Sequence, residues 1–231
     1  MSNFDGCIFL QRVRLSFPNI VTPRAPQGSD KLKYSADFIL QPNDPNYAKF
    51  VTLAYQKVQE KLPKIHTQVI QTINAERKRR CYGNGSERVN AEYKILDGYD
   101  GMVYLSASRQ ADKGMPQLIN AANQGIDPNN TLECQNEARR LYGGCYVNAV
   151  IKPWFYDNQW GKGISADFVA IQFCADGEAF GEGVTDASAL FAGAQATQAP
   201  GLPPMPFPGV QAPPMGAPQF PPVAAPLSPW G

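Results

Sequence analysis

From Cys145 to Tyr156 the chain alternates in a way that could do chemistry. With a side-chain period of two, Cys145, Val147, Ala149, Ile151 and Phe155 share one face of an extended strand. Tyr146, Asn148, Val150, Lys152, Trp154 and Tyr156 share the other. The first face suits a core. The second sets two tyrosines and a tryptophan in a row with a lysine. Flat rings beside a cation can stack nucleobases and neutralise the phosphates between them. Aromatics that simply pack beneath another layer would give the same strand. The placement of the other cations bears on the choice.

Those cations are spread over several segments. Arg77, Lys78, Arg79 and Arg80 form the densest run, and Tyr82 and two glycines follow. Basic residues suit a helix C-terminus and are often only solvated there. With a ring and flexible backbone next in the chain, this loop could also close over a polyanion. Arg12 and Arg14 line one face of an early strand, Lys33 opens the next, and Arg109 and Lys113 follow a third. Arg139 and Arg140 stand just before the aromatic strand. Such a distribution is what a groove that tracks a nucleic-acid backbone requires. The candidate stacking residues are Tyr146, Trp154, Tyr156 and Tyr82. The candidate phosphate contacts are Arg12, Arg14, Lys33, Arg79, Arg80, Arg109 and Lys152. On this reading Trp154→Ala and Tyr146→Ala should weaken binding more than Trp160→Ala.

Catalytic chemistry finds less support. The single histidine, His66, lies in a helical stretch without a partner motif. Asp97 with Asp100, and Asp157 with Asp167, could pair on a metal, but both pairs lie by turns, where Asp serves local backbone hydrogen bonding. No HExxH, phosphate loop or nucleophile motif is present. The five cysteines, Cys7, Cys81, Cys134, Cys145 and Cys174, show no CxxC spacing, so reduced thiols are expected rather than a zinc site. No cofactor, no metal and no enzymatic activity are expected. The N-terminal residues show no basic segment followed by an apolar run, and no apolar stretch reaches membrane-spanning length.

The net charge of +1 hides an uneven distribution. Residues 1–174 hold all 21 basic residues against 16 of the 20 acids, a net of +5. Asp176, Glu178, Glu182 and Asp186 follow, and beyond Asp186 there is no charged residue. Twelve of the 21 prolines lie from Pro200 onward, and a segment so rich in Pro, Ala, Gly and Gln cannot keep a hydrogen-bonded ladder. Two parts are therefore expected: a folded domain over residues 1–186 and a disordered, partly polyproline-II tail over 187–231. Phe207, Phe220 and Trp230 could anchor a partner along that tail.

The folded part reads as strands interrupted by helices. Cys7–Phe17 and Lys33–Leu40 alternate, with Pro18 expected to end the first. Asn43 or Asp44 can cap a helix with Pro45 in its first turn, and Tyr47, Phe50, Val51, Ala54, Val58 and Leu62 recur at helical spacing. Pro63 should break it before a second helix over 64–78. Strands are expected at 101–107 and 116–121, a helical turn at 136–141, and a hairpin from Cys145 to Phe173. The pattern suggests a mixed β-barrel.

Taken in order, RVRLSFPNI (12–20), KYSADFIL, a helix, a basic loop, YDGMVYLSAS (99–108), PQLIN, LYGGCYVNAVIKPWFY, GKGISADFVAIQF and DGEAFG (176–181) resemble bacteriophage single-stranded DNA-binding proteins. The resemblance covers nearly all of residues 8–181. It implies a variant OB-fold, a five-stranded Greek-key-like barrel with inserted helices. It also implies a non-enzymatic protein that coats single-stranded DNA in phage replication or recombination, with little sequence preference, in the cytoplasm of the infected bacterium. Carried over by position, Tyr146, Lys152, Trp154 and Tyr156 match the hairpin, Arg12, Arg14 and Lys33 the opening strands, and Arg79, Arg80 and Tyr82 the basic loop. Relatives end in an acidic tail with a terminal aromatic that recruits replication enzymes. Here the tail is uncharged and proline-rich, which fits a docking arm for phage or host replication proteins better than a mimic of DNA. The alternative reading is a replisome or virion adaptor that binds only proteins through this tail.

Overall fold

The computed structural model describes residues 5–26 and 28–181. The expected boundary at 186 and the tail over 187–231 lie outside the described residues.

The described residues form one sheet of seven strands in the order β3-β4-β2-β1-β6-β7-β5. The strands are β1 (Ile8–Arg24), β2 (Lys33–Leu40), β3 (Tyr82–Asn84), β4 (Val103–Gln110), β5 (Gln117–Ile119), β6 (Tyr146–Asn158) and β7 (Gly161–Ala175). Five of them, β4-β2-β1-β6-β7, follow one another in the order of an OB barrel. β3 and β5 are three-residue additions at the two edges, which is why the sheet counts more strands than expected. β5 is the one parallel neighbour, paired to β7. β4 and β7 come close with no ladder between them. A barrel seam is thus left open.

β1 is longer than Pro18 led us to expect. A proline removes one ladder donor and is tolerated at a bulge. Pro18 sits in the register break between Ser16 and Asn19, and a second break separates Leu10 from Val13. Phe17 (φ 48°) and Arg12 (φ 49°) take left-handed backbone at these two points. The bulges bend one long strand so that its first half pairs with β6 and its second half with β2.

Inside the barrel, Leu10, Leu15, Phe38, Leu105, Val147, Ile151 and Phe168 are buried. Phe38 of β2 meets Phe168 of β7 edge-on, with centroids 5.6 Å apart. Helix α1 (Pro45–Lys61) starts where Asp44 accepts a hydrogen bond from the Asn46 amide at 2.8 Å, and it buries Phe50, Ala54 and Val58 on one face. Pro63 separates it from α2 (His66–Ala75), which buries Val69 and Ile73. α3 (Thr131–Ala138) begins five residues earlier than the turn expected at 136, because the Asn130 side chain caps it by accepting from the Glu133 amide. Among the described residues no helix is long and apolar enough to cross a membrane.

A second, smaller core joins Ile39, Tyr99 and Tyr104 on the outside of the barrel. Buried Asp37 of β2 sits there. Arg88 Nη2 lies 2.6 Å from its carboxylate, and the Tyr99 hydroxyl donates to it at 2.9 Å. The Arg88 guanidinium also lies over the Tyr104 ring, 4.2 Å from the centroid. Burial, then the neighbouring Asp37 charge, push the Tyr99 phenol well above its ordinary pKa, so it stays a donor. Arg88→Met would leave an enclosed carboxylate without its cation. It should lower the unfolding free energy by about 3–5 kcal/mol in urea titration; a loss below about 1 kcal/mol would show that the pair is expendable.

Candidate nucleic-acid interface

β2 and β4 each bury one row and present another. Ala36, Phe38, Leu105 and Ala107 point into the barrel, while Lys33 and Ser35 on β2 and Ser106, Ser108 and Gln110 on β4 face outward. Across the open seam stands the β6–β7 hairpin. Its outward row carries Lys152, Trp154 and Tyr156 on β6, paired with Asp167, Ser165 and Gly163 on β7. The strand faces are those expected from alternation: Cys145, Val147, Ala149 and Ile151 are buried and Trp154 is exposed.

Between these walls runs an open groove of roughly 840 Å³. In an OB barrel this is the region, between the second and third strands and the neighbouring loops, that oligonucleotides occupy. Eight cations and two acids line it, so the groove is strongly positive although the chain is nearly neutral. Trp154 is 46% exposed and Trp160, at the hairpin turn, 81% exposed. Trp154 and Tyr156 stand side by side with centroids 5.7 Å apart. The Tyr156 side chain packs against Gly163, where a Cβ would collide with its hydroxyl and with the Arg79 carbonyl. Burial raises the Tyr156 phenol above its ordinary pKa, so it presents a neutral ring.

The cations divide by type. Arg79 pairs with Glu76 at 2.7 Å and reaches the Lys162 carbonyl, tying the basic loop to the hairpin. Arg80 donates to Glu87 at 3.0 Å and to the Asn74 and Tyr82 carbonyls. Arg109 spans the seam to Asp167 at 2.8 Å and donates to the Gly114 and Lys113 carbonyls. Lys31, Lys33, Lys78, Lys113 and Lys152 also line the groove, and among the described residues none of them forms an ion pair.

Of the residues picked from sequence, the groove gathers Trp154, Tyr156, Lys33, Lys152, Arg79, Arg80 and Arg109. Four others lie elsewhere. Tyr82 is corrected outright: it is 5% exposed, packed against Phe50 and Tyr55, with its hydroxyl donating to Asn74 Oδ1 at 2.7 Å. The loop after Arg80 turns into β3, which carries that ring inward under α1. Arg12, Arg14 and Tyr146 form a separate cluster, with both guanidinium groups within 6 Å of the Tyr146 ring. Arg14 also donates to the Gly144 and Glu178 carbonyls and lies 4.4 Å from the Phe180 ring centroid. This cluster clamps residues 176–181 onto the barrel, helped by the Phe180 amide donating to the Gly143 carbonyl. Tyr146 shares a strand face with Trp154 but is eight residues away, and the groove ends before it. Trp160, Lys31, Lys78 and Lys113 also line the groove; Lys78 and Lys113 stood among the spread cations of the sequence but not among its candidate contacts, and Trp160 and Lys31 were not candidates. Trp160 and Lys113 sit in turns, where alternation gives no signal; Lys31 precedes β2 by two residues.

A sequence model of the family described as "Enterobacter phage Enc34, ssDNA-binding protein" matches residues 7–199. Putative protein p50 of Acyrthosiphon pisum secondary endosymbiont phage 1 is 32% identical over 179 residues, covering 75% of this chain and 85% of that protein. The single-stranded DNA-binding protein from bacteriophage Enc34, solved in complex with ssDNA, shares the fold with a TM-score of 0.58 at 22% identity, over 77% of this chain and 90% of that one.

Gly163→Ala tests the wall directly. The added methyl must push Tyr156 off the hairpin or part the hairpin from Arg79. Stability should fall by about 1–3 kcal/mol in thermal or urea unfolding; an unchanged midpoint would mean that the ring does not rest on this glycine.

Proposed function

We propose, from the fact that this chain belongs to the Enterobacter phage Enc34 ssDNA-binding protein family, that it holds single-stranded DNA in the groove between β2–β4 and the β6–β7 hairpin. The observation that carries the assignment is the meeting, in one open channel, of exposed rings with lysines that form no ion pair among the described residues. Trp154, Tyr156 and Trp160 offer π-faces to successive bases, each worth about 1–3 kcal/mol. Lys31, Lys33, Lys78, Lys113 and Lys152 neutralise phosphates. Every base has a π-face and every nucleotide a phosphate, so this chemistry binds with little sequence preference. Arg79, Arg80 and Arg109 act through position: they brace the loop and the seam and add field rather than free contacts.

The family is one of binding proteins, and nothing in this groove asks for catalysis. The chain coats transient single strands during phage replication or recombination inside the host. Residues 187–231 would recruit phage or host replication proteins, a reading supported by their proline-rich composition and scattered aromatics. Removing them should abolish capture of a replication partner and leave oligonucleotide affinity in place.

Titration with labelled oligothymidine tests the groove. Five phosphates neutralised on a single strand give a slope of log K against log salt of about −3.5. Lys33→Ala or Lys152→Ala should each flatten it by about 0.7. Trp160→Ala and Trp154→Ala should weaken binding about 5- to 150-fold, whereas Tyr146→Ala, whose ring lies outside the groove, should cost less than threefold. The ranking of Trp160 and Tyr146 is thus the reverse of the one expected from sequence. A flat salt response, or a dominant Tyr146, would reject this site.

A further inference from the structure

The groove does not end at the hairpin. Its floor at Ser108, Ser165 and Cys81 is shared with a smaller cleft of about 150 Å³ that continues along β2 and β4. Ser35 and Ser106 line this cleft, and Phe17 stands at its far side.

Phe17 is an unusual residue. It is 53% exposed, and its backbone is left-handed at φ 48°. A bulky residue in that region costs about 1–3 kcal/mol, and glycine would adopt it freely. The bulge between Ser16 and Asn19 turns the ring out of the barrel. Behind it stands Tyr99, with centroids 6.5 Å apart, and Tyr99 is itself fixed by Asp37. The ring is held from behind while its outer face meets solvent above the serine floor.

The floor is polar without being charged against DNA. Asp37 is already neutralised by Arg88. Asn19 donates to the Ser35 hydroxyl at 3.2 Å, and Arg88 donates to Ser106. Ser108 and Ser165, which face each other across the open seam, make no side-chain hydrogen bond among the described residues. Half-buried hydroxyls with spare donors and acceptors suit a phosphate oxygen or a base edge.

We propose that Phe17 is a second stacking platform, and that a single strand leaving Trp154 and Tyr156 crosses the serine floor to place one further nucleobase on its ring. This rests on the groove assignment above and extends it by one subsite. Its chemical class is a nucleobase of the same strand, held by its π-face.

The experiment titrates the full chain with fluorescein-labelled oligothymidines of about 4 to 16 nucleotides, the range of OB-fold site sizes. Phe17→Gly removes the ring and suits the backbone; Phe17→Leu keeps an apolar side chain without a π-face. Both should bind the shortest oligomers like the wild type and lose about 5- to 150-fold on the longer ones. The salt slope should be unchanged, because no phosphate contact is lost. Photocrosslinking of 5-iododeoxyuridine oligomers, read by mass spectrometry, should mark Phe17. Trp154→Ala, run alongside, should lose affinity at every length. If Trp154→Ala weakens binding and both Phe17 variants stay within twofold at all lengths, the second platform is refuted and the groove stands. If DNA binds and neither position matters, both assignments fall.

Discussion

The open seam between β4 and β7 is the feature that leaves room for the proposed binding surface. Had these strands formed a ladder, the barrel would have closed and the outward rows of β2, β4 and the hairpin would have lost the space between them. Instead the seam is spanned on the inside by Phe38 against Phe168 and at the mouth by Arg109 with Asp167. Arg109 comes from a row that otherwise points into the core, and it reaches Asp167 only because it stands at the end of β4.

That arrangement assigns different work to the two kinds of cation. Arginine's planar fork suits bonds to carbonyls and carboxylates held in place, and all three groove arginines are used so. Lysine is a compact charge on a flexible stem, and the five groove lysines carry no partner among the described residues. A polyanion with variable backbone geometry is served better by the second kind. The rings are similarly braced: half-buried Tyr156 rests on Gly163, and exposed Phe17 is backed by Tyr99. Braced rings beside lysines on flexible stems are the reason we propose that this surface tolerates any base order.

Much of this was legible in the sequence. Period-two alternation placed Val147, Ala149 and Ile151 inward and Lys152, Trp154 and Tyr156 outward, because one face of the hairpin must be buried. Helix α1 announced itself through Asp44, Pro45 and the spacing of Phe50, Ala54 and Val58. What failed did so for physical reasons. Pro18 suggested a strand end, but a bulge absorbed it and β1 ran on to Arg24. Tyr82 looked like part of a basic loop, and the short pairing of β3 with β4 turned it into the core. Arg12, Arg14 and Tyr146 had suitable chemistry but cluster away from the groove, where Arg14 reaches the Glu178 carbonyl, 164 positions along the chain, a contact that no local pattern encodes. Trp160 and Lys31 sit where strands end, so periodicity is silent about them.

Amide hydrogen exchange with and without saturating oligothymidine reads the whole surface at once and so tests whether DNA lies in the groove. A strand held along the seam should slow exchange in residues 29–33, 106–113 and 152–165 and leave residues 12–14 and 144–148 unchanged. Protection confined to the Arg12, Arg14 and Tyr146 face, with the seam left as in the free protein, would contradict it.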